Sequence, residues 1–338
     1  MAEIRLENVS KSFEDVLVID DLDLTVNDGE FVVLLGPTGA GKTTTLRLIA
    51  GLEKVDQGKI QISGVDMTEF EPARRDVAFV FQQYSLYPHL SVFENLAFPL
   101  KSPTRKCGKD YIKSRVNEIA ELLQISHKLD NLSTKLSGGE MQRVAIGRAL
   151  VRNPQVYLMD EPLSSLDAKL RAQMRVELKR IQNEFGASLL YVTHDQVEAM
   201  TMADRIGVIS QGKLVQIGSP RDIYSDPDDQ YVASRLGSPS INLLPVSIFQ
   251  NVSVPSATAT LGVRTEHIKL LPVNQANATA TVKRIEHLGD QSHLHFSINE
   301  HEMVTLIDPD SVLATGERIG IKLDNPLYFN NDGKRIRI

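Results

Sequence analysis

The first apolar positions of the chain alternate with polar ones, a pattern typical of strands that are buried on one face only. The alternation runs through Ile4, Leu6 and Val9 and continues between residues 17 and 26. Continuous apolar runs follow at 31–35, 77–81, 156–159 and 189–193. Short runs of this kind predict fully buried strands. The pattern therefore predicts a small half-buried sheet, followed by the strands of an α/β sheet.

Apolar residues at helical spacing lie between these runs and predict the helices of the same fold. The predicted helices cover 44–50, 91–100, 111–123, 141–151 and 164–185, and a further short helix ends at 236. Residues 206–209 and 213–217 flank the turn Gln211-Gly212 and predict a hairpin.

The composition changes after Gly237-Ser238-Pro239-Ser240. Beyond this point the chain is rich in Val and Thr, and short alternating segments replace the helical pattern. These segments predict a small all-β barrel or sandwich. A chain of 338 residues also exceeds what one hydrophobic core usually serves. We therefore expect two domains, at residues 1–236 and 237–338.

A glycine-rich motif follows the apolar run at 31–35 and precedes a predicted helix. It consists of Gly36, Pro37, Thr38, Gly39, Ala40, Gly41, Lys42 and Thr43. Such a loop points several backbone N–H groups at one phosphate chain, close to the positive end of the following helix. Lys42 adds a full charge near the β- and γ-phosphates, and the Thr43 hydroxyl can reach a bound magnesium ion. The simpler alternative is a glycine-rich turn that caps an ordinary helix, and the strand–turn–helix context argues against it.

Polar side chains follow three of the predicted buried strands. Gln82 follows one strand, Asp160 and Glu161 end another, and His194 follows a third. A ligand in an α/β fold binds at the carboxyl ends of the strands, so these side chains are candidates for one site. Two adjacent acids favour a nearby cation, because like charges are costly to crowd together. Each residue alone has a surface or packing explanation.

Ser137, Gly138 and Gly139 stand at the start of the predicted helix 141–151. Ser137 alone predicts an N-cap, which accepts a hydrogen bond from a backbone N–H group of the helix. The same segment also has the features of a second anion site, with exposed donors and a helix dipole but no lysine. The residues leave both interpretations open.

Composition limits the partners and the compartment. The formal net charge of −6 argues against a protein that coats nucleic acid or a polybasic membrane-surface protein. Cys107 is the only cysteine, so an internal disulfide is impossible and a reducing compartment is favoured. The first residues lack the pattern of a secretory signal, and no apolar stretch approaches a membrane span. Any membrane role is therefore expected to need a partner.

The motifs and their order resemble those of ATP-binding cassette ATPases, and the resemblance covers essentially the whole chain. Further stretches at 84–90, 237–239, 262–267 and 286–290 are similar to those of the maltose-type importer ATPases. This resemblance implies an α/β P-loop NTPase cassette with a RecA-like core, an antiparallel β subdomain and an α-helical subdomain. A small all-β domain of OB- or MOP-like type is expected to follow it.

The resemblance also implies how ATP and Mg²⁺ are bound. Phe13 takes the place of the aromatic residue that stacks on adenine, and Val18 packs beside it. The phosphates are held by Gly36, Pro37, Thr38, Gly39, Ala40, Gly41, Lys42, Thr43 and Thr44. Thr43, Gln82 and, through water, Asp160 surround the magnesium ion.

The implied catalytic residues are Glu161, His194, Gln82 and Lys42. Glu161 is the expected general base, and His194 the expected contact to the γ-phosphate. Asp167 is expected to link the two sites of a dimer. Ser137, Gly138 and Gly139 are expected to contact the ATP held by the other subunit. The charge of the transition state also favours such a shared site. In a loose phosphoryl transfer the negative charge is spread over the equatorial oxygens, which need hydrogen-bond donors on all sides, and one P-loop covers only one side.

The chain departs from the usual motifs at three positions and leaves one histidine pair unexplained. Thr38, Ala40 and Glu140 replace commoner residues, but none of them removes a required donor. His293 and His295 occupy alternate positions of a predicted strand, a spacing that puts two side chains on one face, as a metal site requires. Further ligands are missing, so packing or solvent is the favoured explanation.

The resemblance implies an ATP-hydrolysing importer subunit at the cytoplasmic face of the bacterial inner membrane. Its expected partners are a second copy of the chain, two permease subunits and, indirectly, an extracytoplasmic solute-binding protein, but no nucleic acid. Sugars, polyols and glycerol phosphate are the first candidates for the solute, which the residues do not identify. The alternatives are a soluble cassette ATPase acting on ribosomes or DNA, an importer of polyamines or metal ions, and a nucleotide-binding regulator without turnover.

Overall fold

The computed structural model describes residues 2–102, 107–249 and 254–338. The chain divides into two compact units, Met1–Pro220 and Arg221–Ile338. This division falls before the boundary predicted from composition, which lies between 236 and 237 and stays a prediction. In these described ranges, no helix combines the length and the apolar character needed to span a membrane.

Within residues 2–102 and 107–220, ten strands form two sheets. They are β1 (Ile4–Phe13), β2 (Val16–Val26), β3 (Phe31–Leu35), β4 (Gln57–Ile62), β5 (Val65–Asp66), β6 (Val77–Val80), β7 (Val156–Asp160), β8 (Ser188–Thr193), β9 (Arg205–Ser210) and β10 (Lys213–Gly218). The antiparallel sheet has the order β2-β1-β4-β5, and the larger sheet has the order β10-β9-β3-β8-β7-β6. The antiparallel subdomain and the α/β core are as predicted.

The larger sheet determines where the site lies. Strands β9, β3, β8, β7 and β6 run parallel, and β10 pairs antiparallel with β9 as the predicted hairpin. Every residue of β3, β7 and β8 is buried, which explains their continuous apolar sequences. Because these strands are parallel, their carboxyl ends meet at one edge, where ligands bind in α/β folds.

The part of the first unit that the structure describes contains six α-helices up to residue 202. They are α1 (Lys42–Ala50), α2 (Val92–Ala97), α3 (Lys109–Leu122), α4 (Gly138–Leu150), α5 (Ala168–Phe185) and α6 (Gln196–Met202). Helix α4 approaches its neighbours closely at Gly147, where a Cβ would lie 2.7 Å from Leu96 and 2.9 Å from Leu123. This position requires glycine, and it packs α4 against the helices of the predicted helical subdomain.

Several boundaries differ from those predicted by periodicity. Helix α1 begins at Lys42 rather than at residue 44, and strand β6 ends at Val80 rather than at 81. The helix predicted at 91–100 ends as α-helix at Ala97 and continues as a 3₁₀ turn, Phe98–Lys101. Pro99 lies in this turn, and proline has no backbone N–H with which to continue the hydrogen-bond ladder of an α-helix.

Arg75 holds the end of helix α1 in the first unit. The side chain is 3% exposed, and its Nη1 donates to the carbonyls of Leu48 and Ile49 at 2.8 and 3.0 Å. Its Nε and Nη2 donate to the carbonyls of Phe70 and Thr68 at 2.8 and 3.0 Å. One guanidinium therefore bonds four carbonyl groups, and two of them, those of Leu48 and Ile49, belong to the last turn of helix α1.

We expect Arg75→Met to lower the free energy of unfolding by about 3 kcal/mol, because it leaves several buried carbonyls unsatisfied. Urea unfolding of the full chain measures this change. Arg74→Met is the matched control, since Arg74 is exposed and its guanidinium only lies over the Phe70 ring. The control is expected to lose less than about 1 kcal/mol. Equal losses in the two variants would contradict a structural role for Arg75.

The described residues from 220 onward contain two short α-helices and nine strands. The helices are α7 (Pro220–Ser225) and α8 (Gln230–Arg235), and the strands are β11 (Asn242–Pro245), β12 (Thr260–Val263), β13 (Ile268–Leu271), β14 (Ala278–His287), β15 (Ser292–Ile298), β16 (His301–Ile307), β17 (Arg318–Leu323), β18 (Leu327–Phe329) and β19 (Arg335–Ile336). Two antiparallel sheets, β11-β12-β18-β19 and β13-β17-β14-β15-β16, enclose an apolar core. The all-β prediction for this part of the chain is confirmed.

Arg264 joins the helical start of this unit to its sheets. The buried guanidinium donates to the carbonyls of Tyr224 and Ala233 at 2.8 and 2.9 Å, and also to that of Leu236. It lies over the Tyr224 ring, 3.9 Å from the ring centroid. These contacts explain why the segment from 221 onward groups with the β strands. Helix α7 was not predicted, because its sequence is rich in residues typical of turns.

Candidate functional site

The glycine-rich loop lies between β3 and α1, at the carboxyl edge of the parallel sheet. Gly41 has φ +100°, and a Cβ there would lie 2.6 Å from the Ile19 side chain. A Cβ at Gly36 would lie 2.5 Å from the Ile209 carbonyl oxygen. By contrast, a Cβ at Gly39 would meet no atom within 4 Å. The loop therefore curls tightly against the sheet while one side stays open, as a phosphate cradle requires.

Lys42 points its ammonium group into this loop. The side chain is 5% exposed, and Nζ donates to the carbonyls of Gly36 and Pro37 at 2.8 and 3.0 Å. Glu161 Oε1 lies 3.7 Å from the same nitrogen. Burial lowers the pKa of Lys42, and the charges of Glu161 and Asp160 partly oppose that shift. The site thus holds a cation in a confined space, which suits a phosphate chain.

Thr43 and Asp160 come together beside the loop. Thr43 Oγ1 donates to Asp160 Oδ1 at 2.9 Å, and the aspartate is 6% exposed. Burial raises the pKa of the Asp160 carboxyl, so a nearby cation would stabilise its charged form. Gln82 lies exposed just after β6, the strand that pairs with β7. Hydroxyl, amide and carboxylate oxygens are ligands that Mg²⁺ prefers, so these three residues fit a magnesium ion.

Glu161 is held between a lysine and a histidine. Its Oε2 lies 3.0 Å from His194 Nδ1, while its Oε1 faces Lys42. The backbone of Glu161 has φ +43°, and its N–H donates to the Val192 carbonyl at 3.1 Å. A left-handed conformation at a residue that is not glycine is uncommon and often occurs at functional sites. The two carboxylate oxygens of Glu161 thus lie between the ammonium group of Lys42 and the ring of His194.

The predicted adenine-stacking residues lie at the end of the first strand pair. Phe13 ends β1 and is 41% exposed, and the ammonium group of Lys11 lies 5.3 Å from its ring centroid. Val18 is partly buried, and its carbonyl oxygen would lie 3.0 Å from a Cβ at Gly41. This contact places the strand of Val18 beside the phosphate loop. An exposed ring near the loop is available to stack on a base.

Ser137 begins helix α4 through a capping box. Its Oγ accepts from the Glu140 N–H at 3.4 Å, and the Glu140 carboxylate accepts from the Ser137 N–H at 2.8 Å. Glu140 also accepts from the Ser137 hydroxyl at 3.1 Å and pairs with Lys128 at 3.1 Å. The backbone hydrogen bond lowers the pKa of Glu140. Glu140, a departure from the usual motif, therefore completes the cap.

The capping interpretation of Ser137 is thus correct, and the second anion site stays a prediction. Gly138 and Gly139 form the first turn of α4. A Cβ at Gly138 would lie 3.2 Å from Tyr84 Oη, which leaves little room for a side chain. In the described part of the chain, no hydrogen bond or ion pair joins these residues to the phosphate loop. Asp167 is likewise a helix cap, since its Oδ1 accepts from the Leu170 N–H at 3.0 Å.

The structure brings Lys42, Thr43, Asp160, Glu161 and His194 into one contact network. It also reveals a residue that the sequence did not single out, Arg171 in the first turns of α5. Arg171 donates to the carbonyls of Leu163 and Leu166 and faces Asp195. No sequence signal separates it from the other arginines of that helix, because these contacts are visible only in the folded chain.

His293 and His295 form a separate pair in the second unit. His295 Nε2 lies 3.2 Å and His293 Nδ1 3.9 Å from Glu286 Oε2. The hydrogen bond from His295 lowers the pKa of Glu286. Within the described ranges, no group of three or more His, Cys, Asp or Glu side chains is arranged to hold a metal ion. The two imidazoles lie beside the Glu286 carboxylate, and Glu286 pairs with His293 across β14 and β15.

A glycine-rich phosphate loop, a carboxylate pair and a histidine at adjoining strand ends define an ATP-binding cassette. Known families agree with this assignment. The family described as "ABC transporter" matches residues 19–164, and the family described as "TOBE domain" matches residues 261–326.

Relatives of known type match over the whole chain. The maltose/maltodextrin import ATP-binding protein MalK of Salmonella typhimurium is 42% identical over 365 residues, which cover 100% of this chain and 98% of that protein. MalK of Escherichia coli strain K12 is 41% identical with the same coverage. The chain belongs to the family of ABC transporter ATPases that includes MalK.

Solved structures confirm the cassette fold. A bacterial ABC transporter cassette, solved as a dimer, matches with a TM-score of 0.60 and 32% identity, covering 64% of this chain and 99% of that chain. A dimeric cassette in a post-hydrolysis state, bound to ADP and phosphate, matches with a TM-score of 0.59 and 30% identity, again covering 64% of this chain and 99% of that chain.

Proposed function

We propose that this chain hydrolyses ATP with Mg²⁺ as the motor subunit of an importer for a sugar or a sugar-like solute. The observation that carries this proposal is the placement of Glu161 between Lys42 and His194, beside the open phosphate loop. A positioned carboxylate can take the proton of the attacking water, and a buried lysine can stabilise the phosphates. A regulator without turnover would not need this arrangement.

Magnesium would be held by Thr43, Gln82 and, through water, Asp160. When bound, the ion neutralises charge on the phosphate oxygens. Thr43 and Asp160 are already joined by a hydrogen bond, so the chain presents these two oxygen atoms close together. The adenine would stack on Phe13, and His194 would contact the γ-phosphate.

We propose that two copies of the chain form two composite sites. In each site the phosphate loop of one protomer would face Ser137, Gly138 and Gly139 of the other. The N-terminus of α4 supports this assignment, because a helix N-terminus offers N–H groups and a positive dipole to an anion. The dimeric state of the similar cassettes also supports it. Asp167 would link the two sites.

The permease subunits would contact an aromatic cleft that is lined in part by residues of β6 and α4. The cleft has a volume of about 230 Å³, and its lining includes Phe79, Tyr87, Phe98 and Arg148. Phe98 is 46% exposed, and its ring centroid lies 4.4 Å from that of Tyr87. An exposed aromatic cleft with an arginine is typical of the centre of a protein interface. We place this interface at the cytoplasmic face of the inner membrane.

The permease and an extracytoplasmic binding protein would select the solute. MalK relatives over the full length favour a sugar over a polyamine or a metal ion. They also argue against a soluble ATPase acting on ribosomes or DNA.

Uptake by cells tests this proposal. Deleting the gene is expected to abolish ATP-dependent uptake of at least one of maltose, glycerol and glycerol 3-phosphate. The wild-type chain should restore that uptake, whereas Phe98→Asp should not, although the purified variant keeps its ATPase activity. Val176→Asp is the matched control, since Val176 is 71% exposed on α5, outside the cleft. Unchanged uptake of all three solutes in the deletion strain would contradict a sugar-type importer.

A further inference from the structure

The segment after Glu161 folds back on the catalytic carboxylate. The Glu161 carbonyl accepts from the Ser164 hydroxyl at 2.9 Å and from the Ser164 N–H at 3.2 Å. Three residues further on, Asp167 caps helix α5. The backbone position of Glu161 is therefore tied directly to the segment 163–167, whose last residue is assigned to the dimer contact.

Arg171 binds this segment through its backbone. Its Nε donates to the Leu163 carbonyl at 3.3 Å, and its Nη2 donates to the carbonyls of Leu166 and Ser164 at 2.9 and 3.4 Å. The planar fork of a guanidinium can make these bonds together, whereas a lysine ammonium cannot reproduce the geometry. Any movement of the segment 163–167 therefore moves the guanidinium.

The remaining nitrogen of Arg171 faces the residue that follows His194. Arg171 Nη1 lies 3.7 Å from Asp195 Oδ2. The other carboxylate oxygen, Oδ1, accepts from the Val197 and Glu198 N–H groups at 2.7 and 3.2 Å and caps helix α6. The Asp195 carboxylate thus joins Arg171 on one side and the helix cap on the other.

Helix α6 is anchored below this cap. Tyr191 Oη donates to Glu198 Oε2 at 2.8 Å, and both side chains are buried. Burial is the main cause that raises the pKa of Glu198. The Asp195 N–H also donates to Thr193 Oγ1 at 3.0 Å. With α6 and the end of β8 fixed in this way, a shift of Asp195 is transmitted to its neighbour, His194.

We infer that Arg171 is a positioning residue that couples the segment 163–167 to His194, so that the dimer contact and the catalytic pair move together. The contacts form a closed ring from Glu161 through Ser164, Arg171, Asp195 and His194 back to Glu161. This inference rests on the proposed function, because it assigns Glu161 and His194 to hydrolysis and Asp167 to the partner's site.

The Arg171–Asp195 contact is not needed to hold either of the two segments that it joins. The turn 163–166 could be held by the three carbonyl contacts alone, and α6 could begin with any good N-cap. The pairing of Arg171 with Asp195 adds a physical link between the two. When binding of a second protomer displaces Asp167, the Arg171–Asp195 contact would transmit that displacement to His194, the proposed contact to the γ-phosphate. Hydrolysis would then depend on a correctly seated partner.

The experiment compares four full-length variants with the wild type: Arg171→Gln, Asp195→Asn, the double variant, and Arg180→Gln as the control. Asp195→Asn keeps a helix cap and removes only the charge that faces Arg171. Arg180 lies on the same helix, but its charged partners are the half-buried Glu177 and the exposed Glu184. For each protein, ATP-binding stoichiometry gives the folded fraction, and steady-state kinetics give kcat and KM.

Arg171→Gln and Asp195→Asn are each expected to lower kcat by about 10- to 100-fold, the usual effect of a small misplacement of catalytic groups. KM for ATP should change by less than about threefold, because the contacts to the nucleotide stay in place. The double variant should be no slower than the slower single variant, since both changes break the same link. Arg171→Lys should stay well below wild type, and Arg180→Gln should match it.

Wild-type kcat in Asp195→Asn and in a fully folded Arg171→Gln would overturn the inference, and so would effects that multiply in the double variant. If Arg171→Gln is poorly folded, the result of Asp195→Asn alone decides. These outcomes leave the proposed function intact as long as the wild type hydrolyses ATP. A wild-type protein that binds ATP without any turnover would overturn the proposed function, and this inference with it.

Discussion

The Glu161→Gln variant is expected to hydrolyse ATP about 10²- to 10⁴-fold more slowly than the wild type, the usual contribution of a positioned general base. Glutamine keeps the shape of the side chain and its capacity to bond His194, but it cannot accept a proton from water. ATP binding should persist, because Lys42 and the glycine-rich loop are unchanged. Phosphate release measured with saturating ATP and Mg²⁺ gives the rate, and equilibrium binding gives the affinity.

Glu184→Gln is the control for the loss of one carboxylate. Glu184 is exposed at the end of α5, and it pairs with Arg180 at 3.0 Å. A surface pair of this kind contributes little, so the control should keep wild-type turnover. Near-normal hydrolysis by Glu161→Gln would remove Glu161 from the role of base.

The second large effect concerns Ser137 at the start of α4. Ser137→Arg is expected to abolish ATP-dependent dimerisation and to slow hydrolysis by about 10²- to 10³-fold, as the loss of one transition-state donor does. The long side chain would fill the space that the partner's γ-phosphate needs. Binding of ATP by the single protomer should persist. Light scattering with ATP measures dimerisation, best in the Glu161→Gln background, where ATP is expected to be consumed only slowly.

A second capping box provides the matched control. Ser91 caps α2, accepts from the Glu94 N–H at 3.1 Å, and donates its own N–H to Glu94 at 2.9 Å. Ser91→Arg therefore removes a cap of the same kind, at a cost of about 1 kcal/mol, without touching α4. The control should still dimerise with ATP. If both variants dimerise equally well, Ser137 has no part in the partner's site.

The parts of the fold that the sequence predicted are those governed by local pattern. The continuous apolar run at 31–35 forms the buried strand β3, and the glycine-rich loop after it curls as its glycines allow. The polar residues at 160, 161 and 194 meet because their parallel strands end at one edge. This inference needs only the strand order that α/β folds favour.

The parts that the sequence did not predict depend on contacts between distant segments. Arg264 binds the carbonyls of Tyr224 and Ala233, far away in sequence, and this contact joins residues 221–236 to the β strands of the second unit. In the sequence, nothing distinguishes Arg171 from Arg175 and Arg180 of the same helix. Its hydrogen bonds to backbone carbonyls distinguish it in the structure. Every residue has a backbone carbonyl, so the residue type does not show which carbonyls accept a hydrogen bond from an arginine. Such contacts therefore cannot be predicted from sequence alone.

The most direct test of the account is complementation between two inactive variants, Ser137→Arg and Lys42→Ala. Each variant alone should hydrolyse ATP at background rates. In a mixed dimer, the intact phosphate loop of the first variant faces the intact helix start of the second, so one complete site forms. We predict that the mixture regains ATPase activity that neither protein has alone. A mixture as inactive as its parents, under conditions where mixed dimers are shown to form, would contradict the shared site.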